Sequence, residues 1–143
     1  MTDVDHLLLS RFYQLSKIAV LQLESMMPKI KNQELKIIVS NQLATYDVLS
    51  KECCTMAKSH NIALPDNTFF KRCREILDDA FDNVNNINLQ TLIVHTCLLS
   101  LNALTEIYDV ESATSETINL GKHLQSVIDT NLQILTEIKN FKA

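Results

Sequence analysis

The feature that most constrains the fold is the apolar stretch Leu89–Tyr108, LQTLIVHTCLLSLNALTEIY. This stretch is too apolar for an ordinary surface helix, and polar residues such as Ser100 and Glu106 interrupt it too often for a membrane span. We therefore predict a helix that is buried on most of its circumference. Other helices of the same chain must cover it, and the remaining sequence has to supply them.

The composition favours helices along the whole chain. One Gly and two Pro among 143 residues leave little turn chemistry for a sheet protein, and no segment shows the strict alternation of apolar and polar residues that is typical of strands. A chain of this length can bury a core without disulfides or metal ions. The sequence therefore predicts a single all-α domain over residues 1–143.

Local signals indicate where the helices begin and end. Thr2 followed by Asp5 resembles a capping box, Pro28 stops the first helix, and Asn32 can cap the second. Asp66 or Asn67 can cap the short helix that follows. Asn61 suits the left-handed residue after a helix. The short connections predict an antiparallel, up-down four-helix bundle with a short extra helix before the third long helix. The predicted helices cover about residues 3–27, 33–60, 68–84, 88–109 and 112–141.

Charge and cysteine usage exclude several classes of function. The net charge of −4 and the single short basic cluster at Lys71, Arg72 and Arg74 argue against a nucleic-acid partner. The N-terminus carries acids where a signal peptide needs bases, so we predict a cytoplasmic protein without a membrane span. None of the four cysteines forms a Cys-x-x-Cys pair, and reduced core thiols fit that compartment.

Several polar side chains stand on the stripes that the predicted helices turn inward. Buried polar groups must be hydrogen-bonded, so these residues form either a structural layer that selects which helices face each other or the wall of a small-ligand pocket. We predict that the histidine among them is a hydrogen-bonded core residue rather than a ligand or base. The candidate binding residues are Gln22, Gln42, Tyr46, His95 and Asn131.

Three short motifs resemble ferritin-like bundle families of bacterial origin, several of which are uncharacterised. They are KIKNQELK before the second helix, AKSHNIALP at its end, and His123-Leu124 in the last helix. Asn61 stands in the second motif where Gly is usual. The resemblance implies a four-helix ferritin-like fold, but it does not imply ferroxidase activity.

The di-iron site of ferritin-like proteins needs a Glu from each of two helices and a Glu-x-x-His from each of the other two. No Glu of this chain is followed by His at the third position, and Asp3 with His6 has the spacing only at the end of the bundle. We therefore expect no di-metal cofactor. The chain also has no nucleophile elbow and no phosphate-binding glycine loop, so no catalytic residue is predicted.

Two functional hypotheses follow. The first is a non-catalytic ferritin-like bundle that acts through self-association, as a homodimer or larger assembly, or through binding of a partner or a small ligand at Gln42 and Tyr46. It is based on a surplus of apolar positions, which cover more than one stripe of the third long helix and continue in the first helix. In the third long helix they are Ile93, Val94, Cys97, Leu98, Leu99, Leu101, Leu104 and Ile107, and in the first helix they are Leu7, Leu9 and Leu23. The alternative is a metal-dependent oxidoreductase of degenerate di-iron type. Its ligands would be Glu24, Glu52, Glu106 and His95, with Tyr46.

Overall fold

The computed structural model describes residues 1–108 and 112–138, apart from the side chains of Ile107 and Tyr108. These residues form α-helices, one 3₁₀ turn at Met27–Lys29 and no strand, so the all-α prediction is confirmed. The helices are α1 (Asp3–Met26), α2 (Gln33–Ser59), α3 (Asn67–Asp82), α4 (Leu89–Tyr108) and α5 (Ser115–Glu137).

The predicted helix caps are confirmed. The Thr2 hydroxyl accepts a hydrogen bond from the Asp5 N–H at 3.2 Å, and the Asp5 carboxylate accepts one from the Thr2 N–H at 2.7 Å, which completes the capping box. The side chains of Asn32 and Asp66 each accept from the backbone N–H three residues on. Asn61 has a φ of 55°, in the left-handed region after α2.

The last helix differs from its predicted bounds. It begins at Ser115 rather than 112, because Thr114 is held in an extended conformation by Asp5, which accepts bonds from its N–H at 2.8 Å and its hydroxyl at 3.1 Å. It ends at Glu137, where Ile138 has an extended backbone. The predicted helical residues 109 and 139–141 lie outside the described residues.

Helix α1 is the central element of the fold, because it packs against α2, α3, α4 and α5. Its side chains are buried on several sides, with Leu9, Phe12 and Leu23 at most 2% exposed. Its contacts with α3 include an edge-to-face pair of the Tyr13 and Phe70 rings. The core of the molecule therefore surrounds α1.

The prediction that residues 89–108 are buried on most of their circumference is wrong. Helix α4 buries a single stripe that includes Leu92, Leu99 and Ala103, because only α1 and α5 pack against it extensively. Its opposite side is open to solvent. Among the described residues, no helix combines the length and the apolar character needed to cross a membrane.

The hydrogen bonds between α2 and α5 show that these helices run in opposite directions. Glu52 near the end of α2 bonds His123 in the first half of α5, whereas Gln42 bonds Asn131 further along. The hydrogen bond from the Thr114 N–H to the Asp5 carboxylate brings the start of α5 to the start of α1. Helix α1 therefore runs parallel to α5 and antiparallel to α2. The first and last long helices of a four-helix up-down bundle would be antiparallel, so the up-down order predicted from short connections is not observed.

Candidate functional site

Three of the five candidate residues meet between α2 and α5. The Gln42 side chain donates from Nε2 to the backbone oxygen of Asn131 at 3.2 Å, and Asn131 donates from Nδ2 to the Thr45 hydroxyl at 3.2 Å. Gln42 and Asn131 are each 3% exposed. These bonds tie the middle of α2 to the middle of α5, as a structural polar layer does.

Tyr46 is the least typical member of this layer. Its side chain is 2% exposed, and among the described residues its hydroxyl has no hydrogen-bond partner. Burial raises the pKa of Tyr46, and the nearby Asn131 side chain opposes that rise only in part. The residue therefore stays protonated at neutral pH, which leaves it a packing role and no evident acid or base chemistry.

The other two candidates, Gln22 and His95, belong to α1 and α4 instead. The Gln22 Oε1 and His95 Nε2 atoms are both buried, and neither has a hydrogen-bond partner among the described residues. The predicted hydrogen bond to His95 is therefore not formed at Nε2. Burial lowers the pKa of His95 to about 4, so the imidazole is neutral at pH 7.

A groove of about 340 Å³ lies between α1 and α4. Gln22 follows Ile18 of this groove by one helical turn, and His95 precedes Asn102 by two turns, so each continues the face of its helix that lines the groove. We call the groove and this continuation the α1–α4 seam. The residues lining the groove are Arg11, Gln14, Leu15, Ile18, Asn102, Thr105 and Glu106.

The three Glu residues proposed as ligands in the alternative metal hypothesis lie at three separate helix–helix contacts. Glu24 forms an ion pair with Arg74 of α3, the Glu52 carboxylate lies 3.1 Å from Nδ1 of His123 on α5, and Glu106 lines the groove against α1. Within residues 1–108 and 112–138, no three His, Cys, Asp or Glu side chains come close enough together to hold a metal ion.

One polar centre, at Asp5, was predicted only in part from the sequence. The Asp5 carboxylate is 0% exposed and accepts bonds from the N–H groups and hydroxyls of both Thr2 and Thr114. Burial alone would raise the pKa of Asp5, but these bonds outweigh it and hold that pKa well below its usual value of 3.8. The capping box pointed to Thr2, whereas the contact with Thr114 joins residues 109 positions apart and has no local signal.

Cys53 is not an activated nucleophile. All four are free, and burial raises the pKa of the Cys53 thiol to about 12, with the neighbouring Glu52 adding to the effect. A thiol with such a pKa is protonated at neutral pH and unreactive. Of the four cysteines predicted to be core thiols, Cys53 is buried, whereas Cys54, Cys73 and Cys97 are only partly buried.

The outward side of α4 is the most distinctive surface of the molecule. Val94, Leu98 and Leu101 are 51%, 57% and 62% exposed, and their i, i+4, i+7 spacing places them on one face. The whole helix contains no Lys, Arg or Asp, and its one acid, Glu106, lies on the side facing α1.

Comparison with known proteins found no matching family model, no matching curated protein and no matching solved structure.

Proposed function

We propose that this chain is a non-catalytic helical protein of ferritin-like architecture that acts by self-association, with α4 of one copy packed antiparallel against α4 of a second copy. The observation that carries the proposal is the uncharged apolar face of α4 formed by Val94, Leu98 and Leu101. A solvated helix normally turns charged residues outward, and contiguous exposed apolar residues mark interaction surfaces.

The ferritin-like part of the proposal is supported by the order and direction of the helices. Helices α1 and α2 pack as a pair, as do α4 and α5. The segment from 60 to 88 carries α3 along α1, since Phe70 meets Tyr13 and Asp78 meets Ser25, and it returns the chain to the end where α1 finishes. One long crossover between two helix pairs is the connection used by ferritin-like bundles.

A second copy fits this face because the stripe is complementary to itself. In an antiparallel pair of α4 helices centred on Leu98, Val94 of the first copy lies opposite Leu101 of the second copy. The two-fold axis places Leu101 of the first copy opposite Val94 of the second in the same way. An anionic membrane surface fits less well, since such surfaces attract Lys and Arg and α4 has neither.

The area available also suits a dimer if α5 takes part. A 20-residue helix offers roughly 30 Å by 10 Å, or about 300 Å², whereas stable interfaces bury at least about 600 Å² on each partner. Adding the neighbouring rim of α5 about doubles the area. We define the α5 rim by Lys122, Ser126, Asp129, Gln133 and Glu137.

The charges on the α5 rim agree with the antiparallel arrangement. Lys122 and Glu137 stand near opposite ends of the rim, so each Lys122 would face Glu137 of the second copy. Asp129 stands near the middle, where it accepts bonds from Gln125 at 2.7 Å and Ser100 at 3.4 Å, and it would approach Asp129 of the second copy. This register therefore has two attractive contacts and one repulsive contact.

Sedimentation equilibrium at micromolar concentration tests the proposal. We expect the wild-type chain, of 16.3 kDa, to sediment as a dimer. Leu98→Asp should weaken the dimer about a hundredfold or more, because two buried carboxylates would be introduced at the two-fold axis. Ile76→Asp is the matched control, since Ile76 is 68% exposed on α3, away from this face, and its replacement should leave the dimer intact.

A further variant tests the register. Asp129→Asn removes the repulsion at the centre of the rim and should tighten the dimer severalfold. A wild-type chain that is strictly monomeric would overturn the proposal, and so would a dimer that survives Leu98→Asp. Circular dichroism of each variant shows whether the helices are retained.

A further inference from the structure

The α1–α4 seam carries more polar groups than the protein itself satisfies. Gln22 Oε1 and His95 Nε2 are buried at one end of the seam without a partner among the described residues. Leaving such atoms unpaired costs about 1 to 3 kcal/mol each. Buried polar atoms without a partner are uncommon in native proteins, so this end of the seam favours a ligand whose side chain ends in a hydrogen-bonding group such as an amide.

The other end of the seam holds charges of opposite sign. Arg11 of α1 and Glu106 of α4 line the same groove, and within the described part of the chain neither takes part in an ion pair. A guanidinium can donate two hydrogen bonds to a carboxylate, and a carboxylate can accept hydrogen bonds from an ammonium group.

The groove wall between these ends is of mixed character. Leu15 and Ile18 give it an apolar side, whereas Gln14 and Asn102 offer amide donors and acceptors. Its volume of about 340 Å³ is at the small end of the range for ligand sites. A compact molecule with both charges and a short side chain matches these dimensions and this chemistry.

We propose that the α1–α4 seam binds a small zwitterion, a free α-amino acid with an aliphatic or amide side chain. Arg11 holds the carboxylate and Glu106 the ammonium group. Gln14 and Asn102 bond the ligand's polar atoms, and the ligand's side chain extends along Leu15 and Ile18 towards Gln22 and His95. This site lies on the side of α4 that faces α1, so it does not depend on the self-association proposed above.

Titration followed by amide nuclear magnetic resonance tests the site, with L-leucine and L-glutamine as probes at millimolar concentration. We expect at least one probe to shift amides within residues 11–22 and 95–106 and to leave those of α3 unchanged. Leucinamide lacks the carboxylate, and 4-methylpentanoate lacks the ammonium group. Each should bind about tenfold more weakly than leucine, because each loses one charge-assisted contact.

Two variants assign the charges. Arg11→Gln should abolish the difference in affinity between leucine and leucinamide, and Glu106→Gln should abolish the difference between leucine and 4-methylpentanoate. Arg72→Gln, which removes a guanidinium from the exposed side of α3, is the matched control and should preserve both differences. The proposal is overturned if neither probe shifts the seam, or if Arg11→Gln and Arg72→Gln behave alike.

Discussion

Helices α1 and α4 have similar lengths, yet the structure uses them in opposite ways. Helix α1 contains five acidic or basic side chains besides His6, and it is buried on several sides because four other helices pack against it. Helix α4 has only one such side chain, Glu106, and leaves Val94, Leu98 and Leu101 exposed to solvent on one face. The apolar content of a helix therefore does not decide its burial, which depends on how many neighbours the chain places around it.

The difference has a functional meaning. Burial of α1 is explained by the fold of one copy, whereas that fold leaves the apolar face of α4 exposed, which is the observation behind the self-association proposed above. The same reasoning separates the two groups of polar residues. The Gln42 amide donates to the backbone oxygen of Asn131, and the Asn131 amide donates to the Thr45 hydroxyl, whereas Gln22 Oε1 and His95 Nε2 have no partner among the described residues.

The largest expected effect comes from truncating matched apolar residues of the two helices. Phe12→Ala on α1, where the side chain is 1% exposed, should lower the free energy of unfolding by about 3 to 5 kcal/mol because it leaves a cavity. Leu101→Ala on α4, where the side chain is 62% exposed, should change it by less than about 0.5 kcal/mol in the monomer. Urea unfolding of dilute protein measures both values, and equal losses would contradict the contrast between the helices.

A second effect concerns acid sensitivity in α4. Burial lowers the pKa of His95 to about 4 in the folded chain. In the unfolded chain the pKa has its ordinary value of 6.5, so between these two pH values the unfolded chain binds a proton at His95 and the folded chain does not. Stability should therefore fall as the pH drops from about 6.5 to about 4, by up to about 3 kcal/mol, and change no further through this group below that range.

His95→Leu should remove this acid sensitivity, whereas His6→Leu on the exposed start of α1 should preserve it. Unfolding free energies measured from pH 7 to pH 4 provide the comparison. A wild-type chain whose stability is unchanged over this range would show that His95 gains a partner in solution.

The smallest of these effects belongs to Asp5 of α1. Its hydrogen bonds depress its pKa, so its contribution to stability is complete above the ordinary value of 3.8 and is lost as the pH falls below that value. Asp5→Asn should cost about 2 kcal/mol at pH 7, since bonds to a charged acceptor are replaced by weaker ones.

Asp3→Asn, at an exposed position of the same first turn, is the matched control and should cost far less. Thermal unfolding between pH 7 and pH 2.5 separates the two variants. The Asp5→Asn chain should lose less stability below pH 4 than the wild type does, and parallel curves would contradict the role given to the Asp5 bonds.

The sequence by itself determined the helical class and most helix ends. Capping by Thr2, Asn32 and Asp66 depends on groups within three residues of each other, and Asn61 requires only its own backbone to turn left-handed. Such interactions are complete within one turn, so a linear pattern contains all the information that they need.

Only the tertiary structure decided which helix became the centre and how the polar residues were divided. Gln42 on α2 and Asn131 on α5 lie on the inward stripes of their helices and form a polar layer together. The periodicity of the sequence could not show that Gln22 and His95 lie instead at the contact between α1 and α4. The start of Ser115–Glu137 likewise depended on Asp5, more than a hundred residues away. Burial and long-range pairing are properties of neighbours in space, and a helical pattern states which face is apolar without stating what will cover it.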